Sequence, residues 1–107
     1  MKRYLIIESR DPFEAPSFAG RNELAANLAA GAEVTLFLVE NAVLAARSRA
    51  RFAGFARLKK AGVTLIADEF ALRERGITVA ELVPEVKAGR IDLLVAELGR
   101  GAKALWC

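Results

Sequence analysis

The sequence predicts a parallel, doubly wound α/β domain. Short apolar strands alternate with helical segments over residues 1–76, in the order β-α-β-α-β-α. One of these strands, at residues 33–40, is apolar on both faces, which is typical of a central strand covered by helices on both sides. The chain has 107 residues, a length that suits one hydrophobic core, so we expect residues 1–107 to form a single domain.

The first strand is predicted at residues 2–9, with the sequence KRYLIIES. Apolar, aromatic and β-branched residues there precede a polar loop with two prolines. Ser17 suits the N-cap of the next helix, whose leucines recur one turn apart and which is expected to end at Gly31. The apolar segment 33–40, EVTLFLVE, then forms the second strand.

The middle of the chain adds a helical region, a strand and a short helix. Asn41 is the predicted cap of helical residues 42–60, and the sequence leaves open whether this is one helix or two broken near Ser48. The third strand is predicted at residues 63–67, VTLIA. A short helix follows at residues 69–76 and stops at a glycine.

The last third contains an apolar run that could be a strand by composition. Its apolar residues in the segment 91–98 fall at positions i, i+3, i+4 and i+7, which is helical spacing. This assignment leaves residues 84–89 as a short strand, with Pro84 at its start or on a sheet edge. The final residues 102–107, AKALWC, then form a fifth and closing strand.

The composition predicts a folded globular protein in the cytoplasm. Hydrophobic residues make up 54% of the chain and charged residues 27%, which is enough apolar material to offset chain entropy. The basic start has too short an apolar run for a secretory signal, and no run approaches the roughly 18 apolar residues of a membrane span. A single cysteine agrees with a reducing compartment.

The net charge of +3 arises mainly from one segment. Residues 41–60 hold six basic side chains and no acidic one: Arg47, Arg49, Arg51, Arg57, Lys59 and Lys60. This segment could meet a phosphate or an acidic partner, although a solvated helix flank is the favoured interpretation. Nucleic acid is not favoured as a partner, because Phe52 and Phe55 have core spacing and do not form a stacking platform.

The reactive groups in the sequence are few. The chain has no histidine, which excludes Ser-His and Cys-His nucleophile pairs, and it has neither of the glycine-rich phosphate loops. We therefore predict no cofactor. Cys107 is the one soft nucleophile and could carry sulfur as a persulfide, but the adjacent terminal carboxylate disfavours its thiolate. An incidental terminal cysteine is the favoured interpretation.

Polar residues follow the predicted strands, where parallel sheets bind their ligands. Glu8, Asn41, Asp68 and Glu69 are the predicted ligand-binding residues. Together with Glu40, these carboxylates could provide an acid and a base or hold a hard cation. The alternative is structural, because Asn41 and Asp68 suit helix N-caps and Glu69 suits a first helical turn.

Three segments carry a resemblance to a known family. They are VTLFLVENAVLAAR at residues 34–47, LKKAGVTLIADEFALRERGI at 58–77, and the tail ITVAELVPEVKAGRIDLLVAELGRGAKALWC at 77–107. Together they resemble the DsrE/DsrF-like family of small sulfur-relay proteins, over most of the chain. The resemblance implies a three-layer α/β/α sandwich with a mainly parallel five-stranded sheet, flavodoxin-like in general architecture, and assembly into oligomers.

The resemblance also implies a site that this chain lacks. In active members a cysteine just after the third strand accepts and passes on sulfane sulfur, and that position corresponds to Ala67 or Asp68 here. The leading hypothesis is therefore a non-catalytic or accessory subunit acting beside sulfur-transfer partners. The alternatives are a sulfur carrier that uses Cys107 and a small-molecule or metal-binding module that uses the strand-end carboxylates.

The aromatic content is a second, weaker indication of a homo-oligomer, because the favoured interpretation is that most of these side chains belong to the core. A small core cannot easily hide all of the large aromatic residues, and exposed aromatic side chains often belong to interfaces. The residues concerned are Phe13, Phe18, Phe52, Phe55, Phe70 and Trp106.

Overall fold

The computed structural model describes residues 2–106, so the hypothesis on Cys107 lies outside the described residues. The strands are β1 (Lys2–Glu8), β2 (Ala32–Leu38), β3 (Thr64–Asp68), β4 (Val86–Gly89) and β5 (Lys103–Trp106). The α-helices are α1 (Ser17–Ala29), α2 (Gly54–Lys60), α3 (Glu69–Glu74) and α4 (Asp92–Gly99). Short 3-10 helices lie at Glu40–Ala46, Ser48–Ala50 and Val79–Glu81.

The five strands form one sheet in the order β4-β3-β2-β1-β5, and every neighbouring pair is parallel. The predicted strands agree with these within one or two residues, and the apolar run near residue 95 is a helix, as its spacing predicted. The segments that end at Glu8, Leu38, Asp68 and Trp106 thus run in a common direction and bring their carboxyl ends to one edge of the sheet.

The connections distribute the helices unequally over the two faces. The chain moves in one direction from β1 to β4 and then returns past β1 to reach β5. Since such crossovers are right-handed, the first three connections cover one face and the last covers the other. The larger core accordingly packs α1, α2 and α3 on the first face, whereas the smaller core joins Leu94 of α4 to Leu5, Ile7 and Phe37.

Helix α4 approaches the sheet closely at a glycine. A Cβ atom at Gly89 would lie 2.6 Å from Cγ2 of Ile66 and 2.6 Å from Cδ1 of Leu93, too close for a real contact. Gly89 therefore allows the first turn of α4 to rest directly on the end of β4.

We expect the substitution Gly89→Ala to lower the free energy of unfolding by about 1–3 kcal/mol, because the added methyl group overpacks this contact. Urea denaturation measures the change. Gly20→Ala in α1 is the matched control, because a Cβ there meets nothing within 4 Å and alanine favours a helix by up to about 1 kcal/mol. Equal stability of the Gly89→Ala variant and the native protein would show that the contact is loose.

The prediction of helix caps at Ser17 and Asn41 is wrong. Helix α1 begins at Ser17 after Pro16, and no side chain caps it; the Ser17 hydroxyl accepts a hydrogen bond from Nη1 of Arg21 at 3.3 Å. Asn41 lies inside a 3-10 helix whose N-cap is Val39. Ser17 is bound by Arg21 one turn later in the same helix, whereas Asn41 is bound by Arg75 at the end of α3, a tertiary contact that local spacing does not reveal.

Residues 42–60 do not form one helix. The break lies between Ala46 and Gly54. This agrees with the alternative of a helical region interrupted near Ser48. Tertiary pairing explains the break, because Arg47 is extended and forms a β-bridge with Leu82, and the Val83 N–H donates to the carbonyl of Ala46 at 2.9 Å. Backbone groups paired in this way are not available to continue a helix.

Two arginines of the basic segment bind groups within the chain, one a carboxylate and the other a backbone carbonyl. The Arg57 guanidinium binds Glu23 of α1, and this hydrogen bond lowers the pKa of the Glu23 carboxyl. Nε of Arg47 donates to the carbonyl of Leu44 at 2.8 Å. These contacts fit the interpretation of a solvated flank. Within residues 2–106, no helix has both the length and the apolar composition needed to cross a membrane.

Candidate functional site

Glu8 at the end of β1 is completely buried and fully bound. Nη1 of Arg21 in α1 lies 2.9 Å from its Oε2 and 3.2 Å from its Oε1, and the Arg10 N–H donates to Oε1 at 3.0 Å. A buried carboxylate requires partners of this kind. Glu8 therefore ties the β1–α1 loop to α1 and does not face a ligand cavity.

Asn41 connects the end of β2 with α3. Its Oδ1 accepts hydrogen bonds from Nε of Arg75 at 3.2 Å and from Nη2 at 3.0 Å, while Nη1 of the same arginine donates to the carbonyl of Ala71 at 3.1 Å. Glu40, immediately before it, has a φ of 49°, in the left-handed region that non-glycine residues seldom adopt. The chain thus turns sharply at this end of β2.

Asp68 caps helix α3. It ends β3 with extended backbone angles, and its Oδ2 accepts a hydrogen bond from the Ala71 N–H at 3.1 Å. Glu69 opens the first turn of the helix, where a negative charge is favourable. The structural interpretation of both acids is confirmed.

Two separate hollows lie at this edge of the sheet. The first encloses about 340 Å³ beside Ser9, Glu40 and Asn41. The second, which we call the β3–β4 hollow, encloses about 420 Å³ and is lined by Asp68, Glu69, Phe70, Arg73, Arg90 and Ile91. The predicted ligand residues are thus divided, with Asn41 at the first hollow, Asp68 and Glu69 at the second, and Glu8 at neither.

The β3–β4 hollow contains two arginines that the sequence prediction missed. Arg90 directly follows the end of β4, the strand whose Gly89 is paired with Asp68, and Arg73 lies one turn after Glu69 on α3. Both positions could have been found by applying the strand-end rule to β4 and helical spacing to α3. The hollow therefore combines two guanidinium groups with the carboxylates of Asp68 and Glu69 beside exposed Phe70 and Ile91, and its formal charges balance.

The carboxylates proposed for a metal do not converge. Among residues 2–106, no three histidine, cysteine, aspartate or glutamate side chains come together as a metal site would require. Glu8 is held by Arg21, and Glu40 lies at a different hollow from Asp68 and Glu69. The geometry of the described residues therefore gives no support to the metal-binding alternative.

Comparison with known families decides which family the chain represents. The sequence model of the DsrE/DsrF-like family matches residues 2–106. This chain belongs to the DsrE/DsrF-like family. The resemblance noted in the sequence is thereby confirmed. No curated protein sequence matches the chain.

Solved structures share the DsrE/DsrF-like fold of this chain. The ychN protein from E. coli has a TM-score of 0.86 at 20% identity, with both chains covered in full. MTH1491 from Methanobacterium thermoautotrophicum, described as a protein of unknown function, has a TM-score of 0.85 at 17% identity, again over both full chains. BT1422 from Bacteroides thetaiotaomicron, also described as of unknown function, has a TM-score of 0.77 at 17% identity over 99% of this chain and 95% of its own.

Proposed function

We propose that this DsrE/DsrF-like protein is a non-catalytic, accessory subunit of intracellular sulfur transfer, and that it acts as a cytoplasmic homo-oligomer beside sulfur-carrying partners. The supporting observation is Asp68. It is the last residue of β3 and one of the two positions, Ala67 and Asp68, at which the family resemblance calls for a sulfur-bearing cysteine, and neither an alanine nor a carboxylate can form a persulfide.

The surroundings of Asp68 support this proposal. One of its carboxylate oxygens is engaged by the Ala71 N–H, so the residue stabilises the start of α3. The neighbouring Arg73 and Arg90 line the same hollow, where their guanidinium groups can donate hydrogen bonds to an anionic group while Asp68 and Glu69 balance their charge. A persulfide on a partner protein is such a group, and the hollow would receive it without accepting its sulfur.

Sulfur transfer to the chain tests the proposal directly. In the transfer, a protein thiolate attacks the outer sulfur of a small-molecule persulfide, RSSH, which yields a protein persulfide, Cys–S–SH, and the thiolate RS⁻. We expect no added sulfur on the native protein by intact-mass spectrometry after incubation with glutathione persulfide. In a Cys107→Ser background, Asp68→Cys is expected to gain one sulfur atom, because its thiol would line the hollow that Arg73 and Arg90 also line, and nearby cations favour the reactive thiolate.

The control is Ala67→Cys in the same background, which introduces a thiol one residue earlier at a fully buried position, where we expect no gain. The proposal fails if the native protein takes up sulfur. Loss of that sulfur in Cys107→Ser would then establish the carrier alternative. An Asp68→Cys variant that stays unmodified would contradict our view of the hollow as a receptive site.

The carrier alternative is supported by one feature of the sheet. Strand β5 runs parallel to β1, with Trp106 opposite Ile7, so its carboxyl end lies at the same edge as the hollows. Trp106 is 70% exposed, which makes this end of the strand accessible to a partner. The same mass measurement distinguishes this carrier from the accessory subunit.

A further inference from the structure

The charged side chains that line the β3–β4 hollow are not paired with one another. Within residues 2–106, the two arginines of the hollow form no ion pair with its two carboxylates. Nε of Arg90 lies 4.0 Å from Oδ1 of Asp92, and both side chains of that pair are more than three-quarters exposed, so the pair is weak. Asp68 uses one of its two oxygens to cap α3. Both cations and both anions can therefore bind a ligand in the hollow.

The sheet topology places these opposite charges on adjacent strands. Asp68 at the end of β3 is paired with Gly89 at the end of β4. Neighbouring strands lie about 4.8 Å apart. Glu69 and Arg90 each follow that pair by one residue, so an anion and a cation leave the sheet side by side. A small ligand that reaches both needs its own opposite charges close together, as they are in an α-amino acid, where one carbon atom carries the ammonium and the carboxylate.

The hollow also has an apolar side. Phe70 and Ile91 line it and are 59% and 67% exposed. Aliphatic and thioether groups pack favourably against an aromatic ring. The volume of about 420 Å³ lies within the range of about 300–1,000 Å³ that small-molecule sites occupy. The hollow therefore has room for an amino acid together with its side chain.

The balance of charges distinguishes between classes of ligand. An inorganic anion would be attracted by the two guanidinium groups and repelled by the two carboxylates, and a cation would meet the reverse. A neutral apolar molecule would leave all four charged groups without a partner. A zwitterion forms charge-assisted hydrogen bonds with both kinds of side chain. Its two charges thus match the composition of the hollow.

We propose that the β3–β4 hollow binds a free α-amino acid with an apolar or sulfur-containing side chain. The ligand's carboxylate accepts hydrogen bonds from the two guanidinium groups, its ammonium group donates to the two carboxylates, and its side chain packs against Phe70 and Ile91. This inference goes beyond the proposed function, because binding requires the hollow and no transfer of sulfur. The amino acid would compete with a partner's persulfide for the same hollow.

Isothermal titration calorimetry with L-methionine tests the proposal. We expect saturable binding to the native protein. Two blocked compounds should bind about tenfold more weakly or worse: N-acetyl-L-methionine, which lacks the ammonium group, and L-methionine methyl ester, which lacks the carboxylate. Glycine, which lacks the apolar side chain, should also bind more weakly. The proposal is overturned if L-methionine does not bind, or if any of the other three compounds binds equally well.

Two substitutions test whether the amino acid lies in the hollow. Arg90→Gln and Glu69→Gln each remove one charge from its lining, and we expect each to weaken L-methionine binding by about tenfold or more. Arg49→Gln is the matched control, since Arg49 is an exposed arginine outside the hollow and its loss should leave binding unchanged. Asp68 is kept because it caps α3. Unchanged binding in Arg90→Gln and Glu69→Gln would overturn the site.

The outcome is independent of the sulfur-transfer measurement. Sulfur uptake by the native protein would overturn the accessory role and leave the amino-acid site intact. Absence of L-methionine binding would overturn the amino-acid site and leave the accessory role standing. Urea midpoints of the variants, compared with that of the native protein, verify that each variant is folded.

Discussion

Replacing Arg21 with methionine is expected to lower the free energy of unfolding by about 2–4 kcal/mol. The substitution leaves the carboxylate of Glu8 buried at the end of β1 without the ion pair that compensates its loss of water. Removal of one partner of a buried pair typically costs about 3–5 kcal/mol, and the 25% exposure of the Arg21 side chain reduces that figure. Urea denaturation monitored by circular dichroism measures the effect.

The matched control is Arg57→Met, which breaks the ion pair with Glu23. Both side chains of that pair are more than half exposed, so we expect a much smaller loss than for Arg21→Met. The double variant Arg21→Met with Glu8→Gln should be more stable than Arg21→Met alone, because the unpaired charge is gone. If Arg21→Met and Arg57→Met cost the same, the Glu8 pair is not a buried interaction.

The second large effect is expected for Phe55→Ala, at about 3–5 kcal/mol of unfolding free energy. Phe55 in α2 is 1% exposed, and its ring centroid lies 4.8 Å from that of Phe52 and 6.5 Å from that of Phe18, both in edge-on geometry. The substitution removes buried apolar area and these aromatic contacts, and leaves a cavity between α1 and α2.

The control for Phe55 is Phe70→Ala, which removes the same atoms from a side chain that is 59% exposed in α3. We expect a change within about 0.5 kcal/mol, as for most surface positions. The urea midpoints of the two variants, each compared with that of the native protein, measure the two losses of stability. Similar losses in both would mean that Phe55 is not part of a packed core, and the interpretation of the phenylalanines near the basic segment as core residues would be wrong.

In the structure, two of the acidic residues at the strand ends have structural roles and not the ligand-binding roles that the sequence suggested. Asp68 acts as a helix cap, Glu8 is held in a buried ion pair, and the side chains that line the β3–β4 hollow include Arg73 and Arg90. Acidic residues at strand ends first suggested acid–base or metal chemistry, whereas the hollow also contains two guanidinium groups that can donate hydrogen bonds to an anionic group. This supports our proposal of a partner-binding member of the DsrE/DsrF-like family that does not itself carry sulfur at this site.

The strands and helices could be predicted from local patterns because each depends on residues close together in the chain. Alternating short apolar runs predicted the parallel sheet, and the spacing at residues 91–98 predicted α4. The capping role of Asp68 was also predictable, since the side chain and the Ala71 N–H are three residues apart. The family resemblance rested on the same local segments.

The remaining features depend on residues that are distant in the chain, and only the tertiary structure decided them. Arg21 reaches Glu8 and Arg75 reaches Asn41 across 13 and 34 residues, and the bridge between Arg47 and Leu82 interrupts the helix expected after β2. The return of the chain past β1 to β5 makes α4 the one helix within residues 2–106 on its face of the sheet. No local pattern specifies these contacts, because side-chain hydrogen bonds and crossover directions are determined by how the whole chain packs.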